Sequence, residues 1–136
     1  MKLLISTAVA LLCFIKSPQT DTTSKIIWNN DFVGEWVNDK KQKTMVSKCE
    51  IAYEEIGLLV QMWGDCQPTA CNWGEKVLEE VEDGTQSFDL IWTSDFAESA
   101  ITYEMVGEKL KMTHKRRYTD NSGREDMTFV EFFTKQ

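Results

Sequence analysis

Two cysteines five positions apart sit inside WGDCQPTACNWG, residues 63–74, a stretch that reads almost as a palindrome around its proline. Cys66 and Cys71 are close enough to be joined by a disulfide, closing a short loop, in an oxidising compartment. The same pair could offer two thiolates to zinc, but zinc takes four N, S or O ligands and only Asp65 stands nearby, so no metal site is expected. A redox pair would more naturally be CxxC at a helix start, a context absent here. Cys49 reads as a small buried hydrophobe; pairing with one of the loop cysteines stays open.

Acid–base chemistry has a single histidine to draw on, His114. No GxSxG elbow surrounds a serine and no glycine-rich phosphate loop is present. Neighbouring acids such as Glu54-Glu55 or Glu79-Glu80 would point to opposite faces of a strand, so neither makes a carboxylate dyad. His114 with Glu131 is the remaining acid–base candidate, and no cofactor is implied.

What must position these residues is a sheet. From Gly34 onward, period-two segments of 8 to 12 residues alternate with turn signals, the signature of an all-β barrel or sandwich. Eight strands are expected, near 33–38, 44–54, 57–64, 74–82, 86–95, 98–106, 109–119 and 124–134, each pairing with the next. Short connections at 55–57, 83–84, 107–108 and 120–123 fit hairpins. A two-residue turn at Asn121-Ser122 sets Met112 opposite Glu131, His114 opposite Phe129 and Arg116 opposite Met127. A turn at Gly107-Glu108 sets Tyr103 opposite Met112 and Ile101 opposite His114. The parities agree, so Ile101, Tyr103, Met105, Leu110, Met112, Met127, Phe129 and Phe133 share the inner face. Phe88, Leu90, Trp92 and Phe96 add to it. His114, Arg116 and Glu131 are polar residues caught on that face, with Glu131 a diagonal neighbour of His114. They are either a mutually satisfied network near a barrel mouth or a polar group that orients a ligand. Trp63 and Trp73 flank the cysteine loop, as anchors or as ligand-stacking residues at the rim.

Residues 1–16, MKLLISTAVALLCFIK, have the layout of a secretory signal peptide, with a cut expected between 16 and 21, and are too short to span a bilayer. Lipidation at Cys13 is disfavoured by bulky Leu11 and Leu12. Residues 17–31 read as a flexible lead-in, with Ile26, Ile27 and Trp28 as candidate plugs for one barrel end. Residues 32–136 form the single domain. Without the leader, 13 basic face 22 acidic side chains, a net of −9, which repels nucleic acid. The basic run Lys109, Lys111, Lys115, Arg116 and Arg117 reads as a solvated sheet edge. The expected location is secreted or periplasmic, with no integral membrane span in the mature chain.

Gly34-Glu35-Trp36 resembles the GxW that opens the first strand of lipocalins and their calycin relatives, avidins included. Their Trp packs across the closed end of an eight-stranded antiparallel up-and-down barrel, covered by an arginine for which Arg116 and Arg124 are the candidates here. GEWVN at 34–38, the cysteine motif, and YTDNSGREDMT at 118–128 resemble more closely a group of small bacterial exported proteins. That group has His after the first Cys and Asp before the second, where this chain has Gln67 and Ala70, so two metal ligands are missing. The resemblance implies a fold more than an activity. Because the interior of an eight-stranded barrel is just large enough for one small ligand or for its own side chains, the first expectation is a carrier of a lipophilic or partly apolar ligand, with Trp36, Trp63, Trp73, Trp92, Tyr103, His114, Arg116 and Glu131 as candidate binding residues. A protein-binding accessory or inhibitor module with a filled barrel is the second expectation, and an enzyme centred on His114 and Glu131 the third.

Overall fold

The structure, a computed structural model, describes residues 30–136 apart from 80, 82 and 83. The leader, most of the lead-in, the candidate plugs Ile26, Ile27 and Trp28, the expected end of the fourth strand and part of the 83–84 turn lie outside the described residues. A short 3-10 helix, Asn30–Phe32, precedes β1 (Gly34–Asn38), β2 (Lys48–Glu54), β3 (Gly57–Gly64), β4 (Cys71–Leu78), β5 (Ser87–Thr93), β6 (Ala97–Val106), β7 (Lys109–Tyr118) and β8 (Met127–Lys135). The strands form one antiparallel sheet in the order β4-β3-β2-β1-β8-β7-β6-β5, curled into a nearly closed barrel.

The pairing departs from a full meander at one place, because β4 and β5 share no ladder. Trp73 on β4 and Trp92 on β5 meet there edge to face, with ring centroids 6.2 Å apart.

The expected registers are present. Ile101 faces His114 and Tyr103 faces Met112 between β6 and β7; Met112 faces Glu131 and His114 faces Phe129 between β7 and β8. Ile101, Tyr103, Leu110, Met112 and Phe133 are fully buried as a result. Met127 and Phe96, expected inside, are each 44% exposed, because β8 begins at Met127 and β5 ends at Thr93.

Two strands begin three or more residues later than expected because side chains take the place of ladder partners. β2 begins at Lys48 rather than near 44: Lys43 N–H donates to Asp65 Oδ2, and the N–H groups of Met45 and Val46 donate to Glu131. β8 begins three residues late because Asp120 accepts from Ser122 N–H at 3.1 Å and from Arg124 Nη2 at 2.8 Å. Such local side-chain bonds compete with strand pairing, so Asn121-Ser122 lies in a loop wider than a two-residue turn.

One end of the barrel is packed shut. Trp36 is fully buried, and its Nε1 donates to Phe32 O at 2.8 Å. Phe32 lies edge-on to Phe88, which stacks on Tyr103 at 4.8 Å. Lys135 Nζ, not Arg116 or Arg124, sits over the Trp36 ring, 4.9 Å from its centroid. The correction has a steric basis: a Cβ at Gly34 would come within 3.1 Å of the Lys135 side chain, and Gly34 has φ +149. Glycine thus lets the lysine stem lie across the first strand.

Candidate functional site

The up-and-down topology gathers the β1–β2, β3–β4, β5–β6 and β7–β8 connections at the end opposite Trp36. A cavity of about 450 Å³ opens there, lined by residues that include Trp73, Trp92, Phe96, the Cys66 and Cys71 pair, Met45, Ser99 and Arg116.

Trp73 reaches this cavity through a β-bulge. Met62 pairs with Gly74 and Trp63 with Asn72, leaving Trp73 as the extra residue on β4. The bulge keeps Trp73 on the inner side while the ladder continues. The indole lies over Gly64, where a Cβ would come 2.8 Å from Trp73 Nε1; any larger residue would push the ring away. Trp92 is anchored from below: its Nε1 donates to Tyr103 Oη at 2.9 Å, and Tyr103 Oη donates to Met62 Sδ at 3.1 Å. Burial pushes the Tyr103 phenol well above its ordinary pKa, so it stays a neutral donor.

The staple is present: Cys66 and Cys71 form a disulfide with a Cα–Cα distance of 5.4 Å, leaving Cys49 free and buried. It ties Cys66, near the start of the β3–β4 connection, to Cys71, the first residue of β4 and two positions before Trp73. Burial drives the Cys49 thiol far above its ordinary pKa, with the Glu50 charge adding to the shift, so Cys49 stays a neutral thiol packed as a small buried hydrophobe.

Arg116 is the buried charged residue of the cavity lining, which also includes Asp65, Asn72 and Ser99. It is 8% exposed; its Nη1 donates to Ser99 Oγ at 3.1 Å and lies 3.5 Å from Met45 Sδ. Its guanidinium is placed over Phe96 and Tyr118, 5.4 and 5.3 Å from the ring centroids. Nε has no hydrogen-bond partner, and among the described residues no carboxylate forms an ion pair with Arg116. Cation–π contacts return about 0.5–2 kcal/mol, whereas withdrawing an ion from water costs several kcal/mol even after relaxation. The protein alone leaves this charge under-compensated. Arg124, whose guanidinium carbon lies 3.8 Å from the Tyr118 ring centroid, is by contrast ion-paired with Asp120.

The inner-face acid, Glu131, is engaged by other groups. Glu131 accepts from Asn38 Nδ2 at 2.7 Å, Met45 N–H at 3.2 Å and Val46 N–H at 3.1 Å. His114 Nε2 lies 3.0 Å from Glu131 Oε1, but the contact is not aligned as a hydrogen bond, and both ring nitrogens lack a hydrogen-bonded partner. The imidazole instead stacks on Phe129, 4.4 Å between centroids and 11° between planes. This group fixes the segment carrying Met45, and Met45 lines the cavity.

Of the residues singled out in the sequence, Trp73, Trp92 and Arg116 therefore meet at the mouth. Tyr103 supports Trp92 from beneath, and His114 and Glu131 hold a neighbouring loop. Trp36 belongs to the closed end. Trp63 is on the outer face, with Lys48 Nζ 4.9 Å from its ring centroid, so it neither packs on Trp73 nor lines the cavity. Met45, Asp65 and Ser99 were not singled out as ligand-binding residues; the first two lie in connections whose course depends on distant carboxylates or the disulfide. The basic run divides by alternation: Arg116 points in, while Lys109 pairs with Asp39 and Arg117 with Glu98 outside. Among the described residues no group of His, Cys, Asp or Glu is placed to hold a metal ion, and no helix is long and apolar enough to cross a membrane. No protein-family model, curated protein or solved structure matches this chain. The fold is compatible with the lipocalin and calycin barrel, on the strength of its eight antiparallel strands and the Trp36 end.

Proposed function

We propose that this chain is an exported carrier or scavenger of a small, partly apolar molecule, held in the mouth cavity. The observation that carries the reading is the asymmetry of the barrel: side chains fill the Trp36 end, while the opposite end keeps about 450 Å³ beside Trp73, Trp92 and Phe96. That volume falls within the range of small-molecule sites, about 300–1,000 Å³. Export is supported by the leader-like sequence of residues 1–16 together with the Cys66–Cys71 disulfide, since such bonds persist in oxidising compartments.

Native mass spectrometry of the chain recovered from an exporting host tests this, combined with titration of the stripped protein with naphthalene-type probes. An adduct released by denaturation, or saturable probe binding that Trp92→Ala abolishes, is the expected result. A bare native mass together with no saturable binding overturns the reading.

The second reading, a protein-binding accessory module, draws on Ile91, Val130 and Phe132, which are 55%, 42% and 41% exposed on the outer faces of β5 and β8. A protein partner would still bind a folded Trp92→Ala variant. Enzymatic use of His114 fits the geometry poorly, because the ring is fully buried and does not line the mouth cavity.

A further inference from the structure

We infer that the ligand of the mouth cavity is a monoanion, an aromatic or cyclic carboxylate whose head pairs with Arg116; this rests on the reading of the cavity as a ligand site. The chain has 22 acidic against 15 basic side chains, so carboxylates are the commonest charged partners within its reach. Its most deeply placed arginine nonetheless has no acidic partner among the described residues. Arg116 is more than nine-tenths buried, lines the cavity, and retains an Nε with no hydrogen-bond partner.

Neither Glu131 nor Asp65 forms an ion pair with Arg116. Glu131 is engaged by Asn38, Met45 and Val46, and Asp65 accepts from Lys43 N–H at 3.0 Å. A ligand carboxylate supplies the missing charge, and the planar guanidinium fork matches its two oxygens in a way that an ammonium would not. Phe96 and Tyr118 beside the guanidinium restrict its swing, so the charge is presented in a fixed place.

The rest of the cavity defines the body of the ligand and its charge. Trp73 and Trp92 lie at 70° to one another and make a corner of aromatic surface, which favours a flat or ring-shaped group over water. Asp65 lines the same cavity and repels a second negative charge, as does the acidic protein as a whole. Polyanions such as nucleotides are therefore poor candidates, whereas one carboxylate on one compact apolar body satisfies both walls.

The test is calorimetric titration of the oxidised full chain with naphthalene-2-carboxylate and with its neutral counterpart, naphthalene-2-carboxamide. A charge-assisted bond to a desolvated arginine predicts that the carboxylate binds roughly tenfold or more tightly than the carboxamide. Arg116→Met should bring the two probes to similar affinity, and added salt should weaken the carboxylate selectively in the unaltered protein. Should Arg116→Met fail to fold, the comparison of the two probes in the unaltered chain still decides. Equal affinities there would leave the cavity reading standing and overturn the anion. A preference that persists in folded Arg116→Met would place the anion elsewhere and also overturn it. Failure of both probes to bind would remove the cavity reading and this inference together.

Discussion

Trp36 and Trp73 are both inward-facing tryptophans, at opposite ends of the same barrel, and their surroundings differ in kind. Around Trp36 every polar need is answered within the chain: the indole N–H meets Phe32 O, and Lys135 caps the ring. Around Trp73 the ladder is bulged, the β4–β5 seam is unpaired, Phe96 is 44% exposed and Arg116 Nε is unpartnered. Consistent packing is what stability asks of a fold, and local breaches of the same rules are expected at functional sites, which is where the proposed ligand site lies.

The largest expected effect comes from the closed end. Trp36→Ala should lower the unfolding free energy by about 3–5 kcal/mol, the usual cost of emptying a large aromatic site, read from denaturant midpoints of the oxidised protein. Trp73→Ala, at a partly buried site, should cost clearly less while removing probe binding. If the two changes cost the same, the mouth is ordinary core and the contrast between the ends collapses.

Next comes the carboxylate that organises the rim. Glu131→Ala should cost about 3 kcal/mol, because it removes a buried acceptor and leaves the Met45 and Val46 N–H groups without their partner. Amide hydrogen exchange at Met45 and Val46 should then accelerate more than at Ile51 or Val60. Uniform acceleration would mean that Glu131 serves the whole barrel and not the rim.

Loss of the Cys66–Cys71 bond should be smaller, about 2 kcal/mol for so short a loop. It should weaken probe binding through Trp73 while leaving the Trp36 end intact, an outcome visible as a change confined to Trp73 and Trp92 signals. The smallest effect is expected at the 119–126 loop. The Ser122 hydroxyl, and after it Arg124, hold Asp120 down to about 2 from the ordinary 3.8. A carboxyl depressed in the folded state stabilises above the unfolded value and loses that contribution as pH falls from 3.8 towards 2. Asp120→Asn should therefore flatten that part of the acid limb in a thermal-midpoint series, and an unchanged limb would show that the loop contributes nothing to acid stability.

Much of this was legible in the sequence because strand alternation is a strict code. Two turns fixed the parity of β6, β7 and β8, and with it the inward placement of His114, Arg116 and Glu131. The cysteine spacing foretold the staple. What alternation cannot carry is any interaction that breaks it. The bulge that turns Trp73 inward, the capture of Met45 and Val46 N–H groups by Glu131, and the unpaired β4–β5 seam all depend on contacts between residues remote in sequence. Trp63 and Trp73 look equivalent in the near-palindrome for the same reason, and only the bulge separates an outer from an inner indole. Lys135 in place of an arginine over Trp36 likewise required knowing which strand lies beside Gly34.

The most direct test uses the five tryptophans as built-in reporters. Indole N–H resonances, assigned by single substitution, should be followed while naphthalene-2-carboxylate is added to the ¹⁵N-labelled oxidised chain. A ligand site at the mouth predicts saturable shifts of Trp73 and Trp92, with Trp36 and Trp63 unmoved. Shifts at Trp63 alone, or no shift at Trp73 and Trp92 up to the solubility limit of the probe, would contradict it.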